Sequence, residues 1–284
     1  MDIKIYLTGS EGLIGSAFKE HTSYSLQLCD LKLNSDFRTQ VIDDDSTHVL
    51  HLAAVSRVID AEINPCLAEN LNFESIENFI LRCGKHRKII LASSKEVYGD
   101  QFGDVYEYDI LGPKSLYATT KSKMERLAND YFEKGYDVTI VRFSTVFGGL
   151  DDHATRVIPL FVHNAINNKA INVYGGQKKI FPTAVSSVVK AVEKILISTP
   201  KSSGKMQIYN LVGSGTTIIQ LAKYIVDISK STSIIQEYAD DKNIYASANL
   251  KTRYPHLLTD NWKQELCMYV DKIKNHVDKK NDPR

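Results

Sequence analysis

Paired cysteines are the first thing this chain of 284 residues does without. Its four, Cys29, Cys66, Cys83 and Cys267, are scattered with no C-x-x-C spacing. That disfavours a zinc site or a disulfide framework and suits a reducing compartment. Excess charge of either sign is also missing: 35 Lys and Arg face 34 Asp and Glu, so nothing suggests bulk attraction to nucleic acid or to a membrane. No apolar run approaches bilayer-spanning length. Met1-Asp2-Ile3-Lys4 does not open a basic region followed by an apolar one, so no export signal is evident and a cytoplasmic location is expected. The acidic run Asp43-Asp44-Asp45 has no further ligands at loop spacing, so no metal is expected. The basic end, Lys272 to Arg284, reads as a flexible, solvated tail.

What is there is an alternation. Short apolar runs at Ile3–Thr8, Leu26–Cys29, His48–Ala53, Lys88–Ser93 and Val138–Phe143 read as strands. Between them, Leu13–Glu20, Ala61–Arg82 and Tyr117–Lys134 read as helices. Strands alternating with helices predict an α/β fold, a parallel sheet covered on both faces. After Gly149 the rhythm loosens. Helices are expected at Arg156–Asn168, Val185–Ile197 and Thr217–Lys230, strands at Ala170–Tyr174 and Gln207–Val212, and the remainder is polar and poorly periodic. The expected division is a core over residues 1–150, to which segment 182–213 returns, and a smaller mixed α/β lobe over 151–284.

A glycine turn, Gly9-Ser10-Glu11-Gly12-Leu13-Ile14-Gly15, follows the first strand and opens the first helix. Glycines there let backbone approach a pyrophosphate, and the N–H groups at Leu13, Ile14 and Gly15 sit at the positive end of the helix dipole. Asp30 ends the second strand about twenty residues on. A carboxylate in that place can accept both ribose hydroxyls of adenosine and repels a 2′-phosphate, which favours NAD over NADP. Lys32 softens that preference. Only seventeen residues separate Asp30 from His48, room for one crossover. The edge strand beyond the second is therefore expected to be missing or rudimentary, with Ser35-Asp36-Phe37-Arg38 as its remnant against adenine.

Tyr117 and Lys121 lie one helical turn apart, hence on one face. A free tyrosine, with a pKa of about 10, is a poor base at neutral pH, and a nearby ammonium favours the phenolate. Ser94, at the end of the fourth strand, would orient the substrate hydroxyl towards Tyr117. Y-x-x-x-K recurs at Tyr174/Lys178 and Tyr238/Lys242, but neither follows a strand ending in serines, and both read as chance matches. His51 reads as a packed core histidine, Tyr98 and Tyr174 as packing that could touch a nucleotide base, and Trp262 as packing in the lobe.

These motifs together resemble the extended short-chain dehydrogenase/reductases of the NAD-dependent nucleotide-sugar epimerase/dehydratase type. Thr8-Gly9 to Gly15 matches their T-G-x-x-G-x-x-G. His51-Leu52-Ala53-Ala54 matches the H-L-A-A that lines the cofactor, and Asn70 matches the asparagine of the following helix. Ser93-Ser94 with Val97-Tyr98-Gly99 matches S-S-x-x-V-Y-G, and Pro113 to Lys121 matches P-x-S-x-Y-x-x-x-K. Arg142 to Gly148 is similar to R-x-F-N-V-Y-G, with Thr145 in place of asparagine. The resemblance implies a Rossmann-type doubly wound sheet and bound NAD. It implies Ser94, Tyr117 and Lys121 as catalytic residues, and oxidation–reduction at a sugar carbinol carbon, often C4, of a nucleotide-diphosphate sugar. It also implies a homodimer packed through Ala61–Arg82 and Tyr117–Lys134. The arginine that usually grips the diphosphate is missing from Lys179 to Ser187; Lys178, Lys179 or Arg156 would substitute. Dehydratase relatives carry T-D-E where this chain has Ser94-Lys95-Glu96. Lys95 would hold Glu96 ionised, which suits a base and not an acid; the glutamate reads more readily as structural or solvent-facing, so simple oxidation–reduction, as epimerase or ketoreductase, is favoured over a dehydratase using Glu96 as base. A catalytically idle NAD-binding protein is the remaining alternative, and the intact serine–tyrosine–lysine set argues against it.

Overall fold

In the computed structural model, residues 3–150, 152–198, 204–239 and 248–281 are described. The chain runs β1 (Lys4–Thr8), α1 (Leu13–His21), β2 (Ser25–Cys29), β3 (His48–His51), α2 (Val58–Ile63), α3 (Pro65–Glu69), α4 (Ile76–Cys83), β4 (Lys88–Ser94), β5 (Gly103–Val105), α5 (Leu116–Glu133), β6 (Asp137–Phe143) and β7 (Thr145–Phe147). It continues with α6 (Val157–Ile166), β8 (Ile171–Tyr174), β9 (Lys179–Ile180), β10 (Pro182–Ala184), α7 (Val185–Ile197), β11 (Gln207–Leu211), β12 (Thr216–Thr217), α8 (Ile218–Ser229), β13 (Ile235–Tyr238), β14 (Ala248–Leu250) and α9 (Trp262–Asn281).

Six strands form one sheet in the order β11-β6-β4-β3-β1-β2, every pair parallel. Side chains alternate across it, as the pleat requires. Ile5, Leu7, Leu50 and Ile90 join Phe18 of α1 and Val188, Val192 and Ile195 of α7 on one face. Tyr6, Val49, Ile89 and Leu91 join Phe79 and Ile80 of α4 and Met124 and Ala128 of α5 on the other. All seven residues of β4 are buried, which is why that stretch reads as a near-continuous apolar run. This is the covered parallel sheet expected from the alternation, in the Rossmann-type architecture that the resemblance implied.

β2 is an edge of the sheet. Side-chain amides occupy the place of the missing neighbour. Gln27 donates to the Val41 carbonyl and accepts from the Asp43 N–H, both at 2.8 Å, and Gln40 donates to the Leu28 carbonyl at 3.3 Å. A short edge covered this way offers little template for pairing with another chain. Asp43 and Asp45 both close on Lys4, at 2.8 Å each.

Two expectations need correction. Ala61–Arg82 is not one helix. Asn64 leaves helical geometry (φ −131°, ψ 74°) and caps α3 by accepting from Leu67, with Pro65 in its first turn. Asn70–Glu74 then forms a π-helical turn, so the run becomes α2, α3, a wide turn and α4. Proline restricts the residue before it, and the wide turn shifts which side chains face the core. Second, helix α9 takes in residues 272–281, read above as tail; residues 282–284 lie outside the described part. Trp262, Leu266, Tyr269 and Val270, at helical spacing, join Phe161 and Val162 of α6, Ile171 and Val173 of β8, and Leu221 and Ile225 of α8 in a second core.

Candidate functional site

The glycine turn closes on itself. Gly9 has φ +69°, and a Cβ there would lie 2.7 Å from the Ala53 nitrogen; a Cβ on Gly15 would lie 2.2 Å from the Gly9 oxygen. These two positions bring β1, the loop after β3 and α1 into direct backbone contact. Gly12 differs. It begins α1 with no side-chain cap, and a Cβ there would meet only the Gly9 oxygen, at 3.4 Å. The first N–H groups of a helix have no intrahelical partner, and Gly12, Leu13, Ile14 and Gly15 all line a cavity of about 800 Å³. An uncapped helix start with open space over a glycine fits a pyrophosphate.

The same cavity is lined by Asp30, Asp36, Phe37, Leu52, Ala53, Ala54, Ser93, Ser94, Glu96, Tyr117 and Lys121. Asp30 accepts from the Glu11 N–H at 3.0 Å with one oxygen and from the Lys32 N–H at 2.9 Å with the other, so its carboxylate is fixed beside the turn. Lys32 Nζ reaches back to the Glu11 carbonyl at 3.3 Å. Asp36 is forked by Arg38, whose guanidinium holds that carboxyl below its usual range. Phe37 packs edge-on to His51, ring centres 4.8 Å apart. His51 bonds Thr8 Oγ1 at 2.7 Å, and burial drives its pKa down to about 3, so it stays neutral.

Of the residues expected to be catalytic or to bind the cofactor, Asn70 is the one that the structure does not bring to the cavity lining. It sits in the π-helical turn and accepts from Arg38 at 2.8 Å. The asparagine that supports the cavity wall is Asn72. It is buried, accepts from the Val55 N–H at 2.8 Å, and donates to the Val55 carbonyl at 3.0 Å and to Thr120 Oγ1 at 3.2 Å. It thereby pins the loop after β3 to α5.

Ser94 ends β4 and caps the next turn by accepting from the Glu96 N–H at 3.2 Å. Ser93 donates to Glu125, which also holds Arg142 in a buried ion pair. Arg142 continues to Tyr98 Oη at 2.6 Å, and Tyr98 to Asn210 at 2.8 Å. Tyr98 is thus bound into a buried network behind the site. Tyr117 stands in the first turn of α5, whose N-terminus is capped by Ser115 accepting from Ala118 at 3.1 Å. Burial pushes the Tyr117 phenol up to about 12; Ser94 pulls it down, Glu96 adds to the rise, and Arg156 opposes it. The expected lowering by Lys121 is not what this geometry gives. The Lys121 ammonium, 2 % exposed, donates to the Ala92 carbonyl at 2.8 Å. Burial lowers its pKa to about 8 against the pull of Glu125. Lys95 pairs with Glu96 at 2.6 Å and holds that carboxyl below its ordinary range.

Beyond Tyr117 the lining passes to the lobe, where Arg156 pairs with Asp152 at 2.9 Å. Of the three cations considered for the missing arginine, Arg156 lines the cavity, while Lys178 and Lys179 do not. The sequence reading missed Arg57, which also lines it. Arg57 donates to His153 Nε2 and to Thr155 Oγ1, both at 2.8 Å. Partners 96 and 98 positions away leave no trace in local sequence. Tyr174 stacks on Tyr238, ring centres 5.0 Å apart, outside the cavity lining. Lys242, the partner of Tyr238 in the third Y-x-x-x-K match, lies outside the described residues.

A parallel sheet with a glycine cradle at one end and a serine–tyrosine–lysine set beside it defines the extended short-chain dehydrogenase/reductases. The profile of the RmlD substrate binding domain matches residues 3–281, and the chain belongs to that family. It is similar to YtcB of Bacillus subtilis (strain 168), described as an uncharacterized UDP-glucose epimerase, with 26 % identity over 268 residues, 80 % of this chain and 82 % of that one. Among solved structures it is similar to UDP-glucose 4-epimerase of Thermotoga maritima with UDP-glucose, at a TM-score of 0.83 and 19 % identity over 97 % of this chain and all of the other. It also resembles DesIV, a dTDP-glucose 4,6-dehydratase of Streptomyces venezuelae with NAD bound, at a TM-score of 0.82 and 20 % identity over 96 % and 97 % of the two chains. No helix among the described residues is long and apolar enough to cross a membrane.

Proposed function

We propose that this protein is a cytoplasmic, NAD-dependent enzyme that oxidises or reduces a sugar carbinol carbon, C4 by preference, of a nucleotide-diphosphate sugar, acting as an epimerase or ketoreductase. The observation that carries the reading is one cavity shared by the cradle at Gly9–Gly15 and by Ser94, Tyr117 and Lys121. The relatives described above support it, and Asp30, fixed by two backbone N–H groups, supports NAD over NADP. The dinucleotide would rest on Gly12, Leu13 and Ile14, with Asp30 at the adenosine ribose and Asp36 and Phe37 beyond it. When bound, it supplies the hydride acceptor and donor.

The chain's own part is proton movement and orientation. With its pKa near 12, Tyr117 is a phenol at neutral pH and gives its proton to the sugar oxygen as a carbonyl is reduced. In the oxidising direction its phenolate takes that proton, and Ser94 and Arg156 are the groups that pull the pKa back towards that form. Ser94 orients the sugar oxygen towards Tyr117. Glu96 also lines the cavity, which is the observation favouring dehydration. Its pairing with Lys95 keeps it ionised, which suits a base but not an acid for the departing hydroxyl, and Lys95 stands where dehydratase relatives carry aspartate, so the redox reading stands ahead. Two copies would associate through α5 and the broken run α2–α4.

The test is a panel of UDP-, GDP-, CDP- and dTDP-sugars and their 4-keto forms with NAD(H) and NADP(H), followed by nicotinamide absorbance and product mass. Turnover without mass loss is expected for an epimerase and a gain of two hydrogens for a ketoreductase. A product lighter by one water would replace this reading with dehydration. Full turnover by Tyr117→Phe would remove the assigned chemistry.

A further inference from the structure

Arg57 makes an unusual choice of partners. Its guanidinium belongs to the loop after β3, in the core, yet it donates to His153 Nε2 and Thr155 Oγ1 of the lobe, 2.8 Å each. All three residues line the cavity, so the bridge ties two of its walls together. Both acceptors are neutral. Because Arg57 can only donate, His153 accepts through Nε2; its Nδ1 lies 2.9 Å from Thr155 Oγ1 and 3.4 Å from the Thr155 N–H. The nearest carboxylate on Arg57 is Asp60 at 3.4 Å, itself 45 % exposed. Arg156 is different, being already closed on Asp152, whose side chain is 1 % exposed.

A guanidinium held by an imidazole and a hydroxyl gives them up readily for an anionic oxygen, since charge-assisted bonds are about twice as strong as neutral ones. We infer that the Arg57–His153–Thr155 bridge is a latch across the substrate end of the cavity, and that Arg57 exchanges it for an anionic group of the incoming substrate, becoming a specificity-determining contact. The inference rests on the nucleotide-sugar reading above. The anion is a phosphate oxygen of the diphosphate or a carboxylate on the sugar; the two share one chemistry, and the test separates them.

The latch makes its two halves act in opposite directions, which a merely structural bridge would not. Binding of UDP, UDP-glucose and UDP-glucuronate to the NAD-loaded protein would be measured by calorimetry. Arg57→Gln is expected to weaken binding roughly tenfold or more, as loss of a hydrogen bond to a charged group does, and Arg57→Lys to restore part of it. His153→Ala and Thr155→Val free Arg57 in advance and are expected to tighten binding roughly two- to tenfold, the worth of one net hydrogen bond. NAD affinity stays within about twofold throughout. Equal weakening of all three ligands by Arg57→Gln assigns the diphosphate; weakening of UDP-glucuronate alone assigns a sugar carboxylate; either supports the latch. Unchanged binding in Arg57→Gln, or weakening in His153→Ala as well, overturns it. A wild-type protein that binds none of these three and none of the GDP-, CDP- and dTDP-sugars of the panel above overturns the nucleotide-sugar reading and the latch with it.

Discussion

Lys121→Met separates what a buried ammonium does for chemistry from what it costs the fold. Methionine keeps the length of the chain and removes the charge. Burial brings the lysine from 10.5 to about 8, which means that the folded state disfavours the charged form by roughly 3 kcal/mol. Removing the bond to the Ala92 carbonyl returns about 1 kcal/mol. The substitution is therefore expected to stabilise the protein by about 2 kcal/mol at pH 7, a rise in melting temperature of roughly 4–8 °C. The pH dependence follows from the same displacement. Below pH 8 the folded and unfolded chains both carry the proton, and wild type bears the full cost. Between about 8 and 10.5 the folded chain releases its proton while the unfolded chain keeps it, so wild type gains stability as pH rises and the advantage of the variant shrinks. Turnover of the variant should fall, because the cavity that Lys121 shares with Tyr117 loses a buried positive charge. Thermal melts by circular dichroism from pH 6 to 10, with turnover assays beside them, make the comparison. A variant that melts below wild type at pH 7, or a gap that does not change between pH 7 and 10, refutes the reasoning.

Two glycines of the turn should fail differently. Gly15→Ala drives a Cβ into the Gly9 oxygen and should lower the melting temperature and abolish NAD binding. Gly12→Ala meets nothing closer than 3.4 Å and should fold normally while losing affinity in a fluorescence titration with NADH. Asn72→Ala, which leaves Val55 and Thr120 without their buried partner, should cost about 2–3 kcal/mol in urea unfolding. Asn70→Ala should stay within about 0.5 kcal/mol; equal effects would remove the distinction between the two. Glu125→Ala strips the buried Arg142 of its ion pair and should cost about 3–5 kcal/mol, measured by the same unfolding.

Much of the core was legible because its signals are local. A strand that ends in glycines and opens a helix is a backbone requirement, and backbone requirements are written in adjacent residues. The same holds for Tyr117 and Lys121, which a helix must place on one face, and for the short stretch between Asp30 and His48, which left no room for a further edge strand. Asn70 was misread because the run from Ala61 to Arg82 looks continuously helical. Only the break at Pro65 and the π-helical turn decide that Asn72, two residues on, is the one turned inward. Helix α9 was passed over because its single apolar stripe is diluted by a charged face, although the spacing of Trp262, Leu266, Tyr269 and Val270 was there to be counted.

By itself, then, the sequence determined an α/β core, a glycine turn at Gly9–Gly15 between a strand and a helix, and a serine, a tyrosine and a lysine on elements that a parallel sheet must bring to one end. The tertiary structure decided what those groups face. It turned the Lys121 ammonium towards the Ala92 carbonyl, closed Glu96 on Lys95, and carried Arg57 across the cavity to His153 and Thr155. The reason is physical: backbone geometry follows from neighbours along the chain, whereas the partner and charge state of a buried group are set by whatever packing has placed within a few ångström of it.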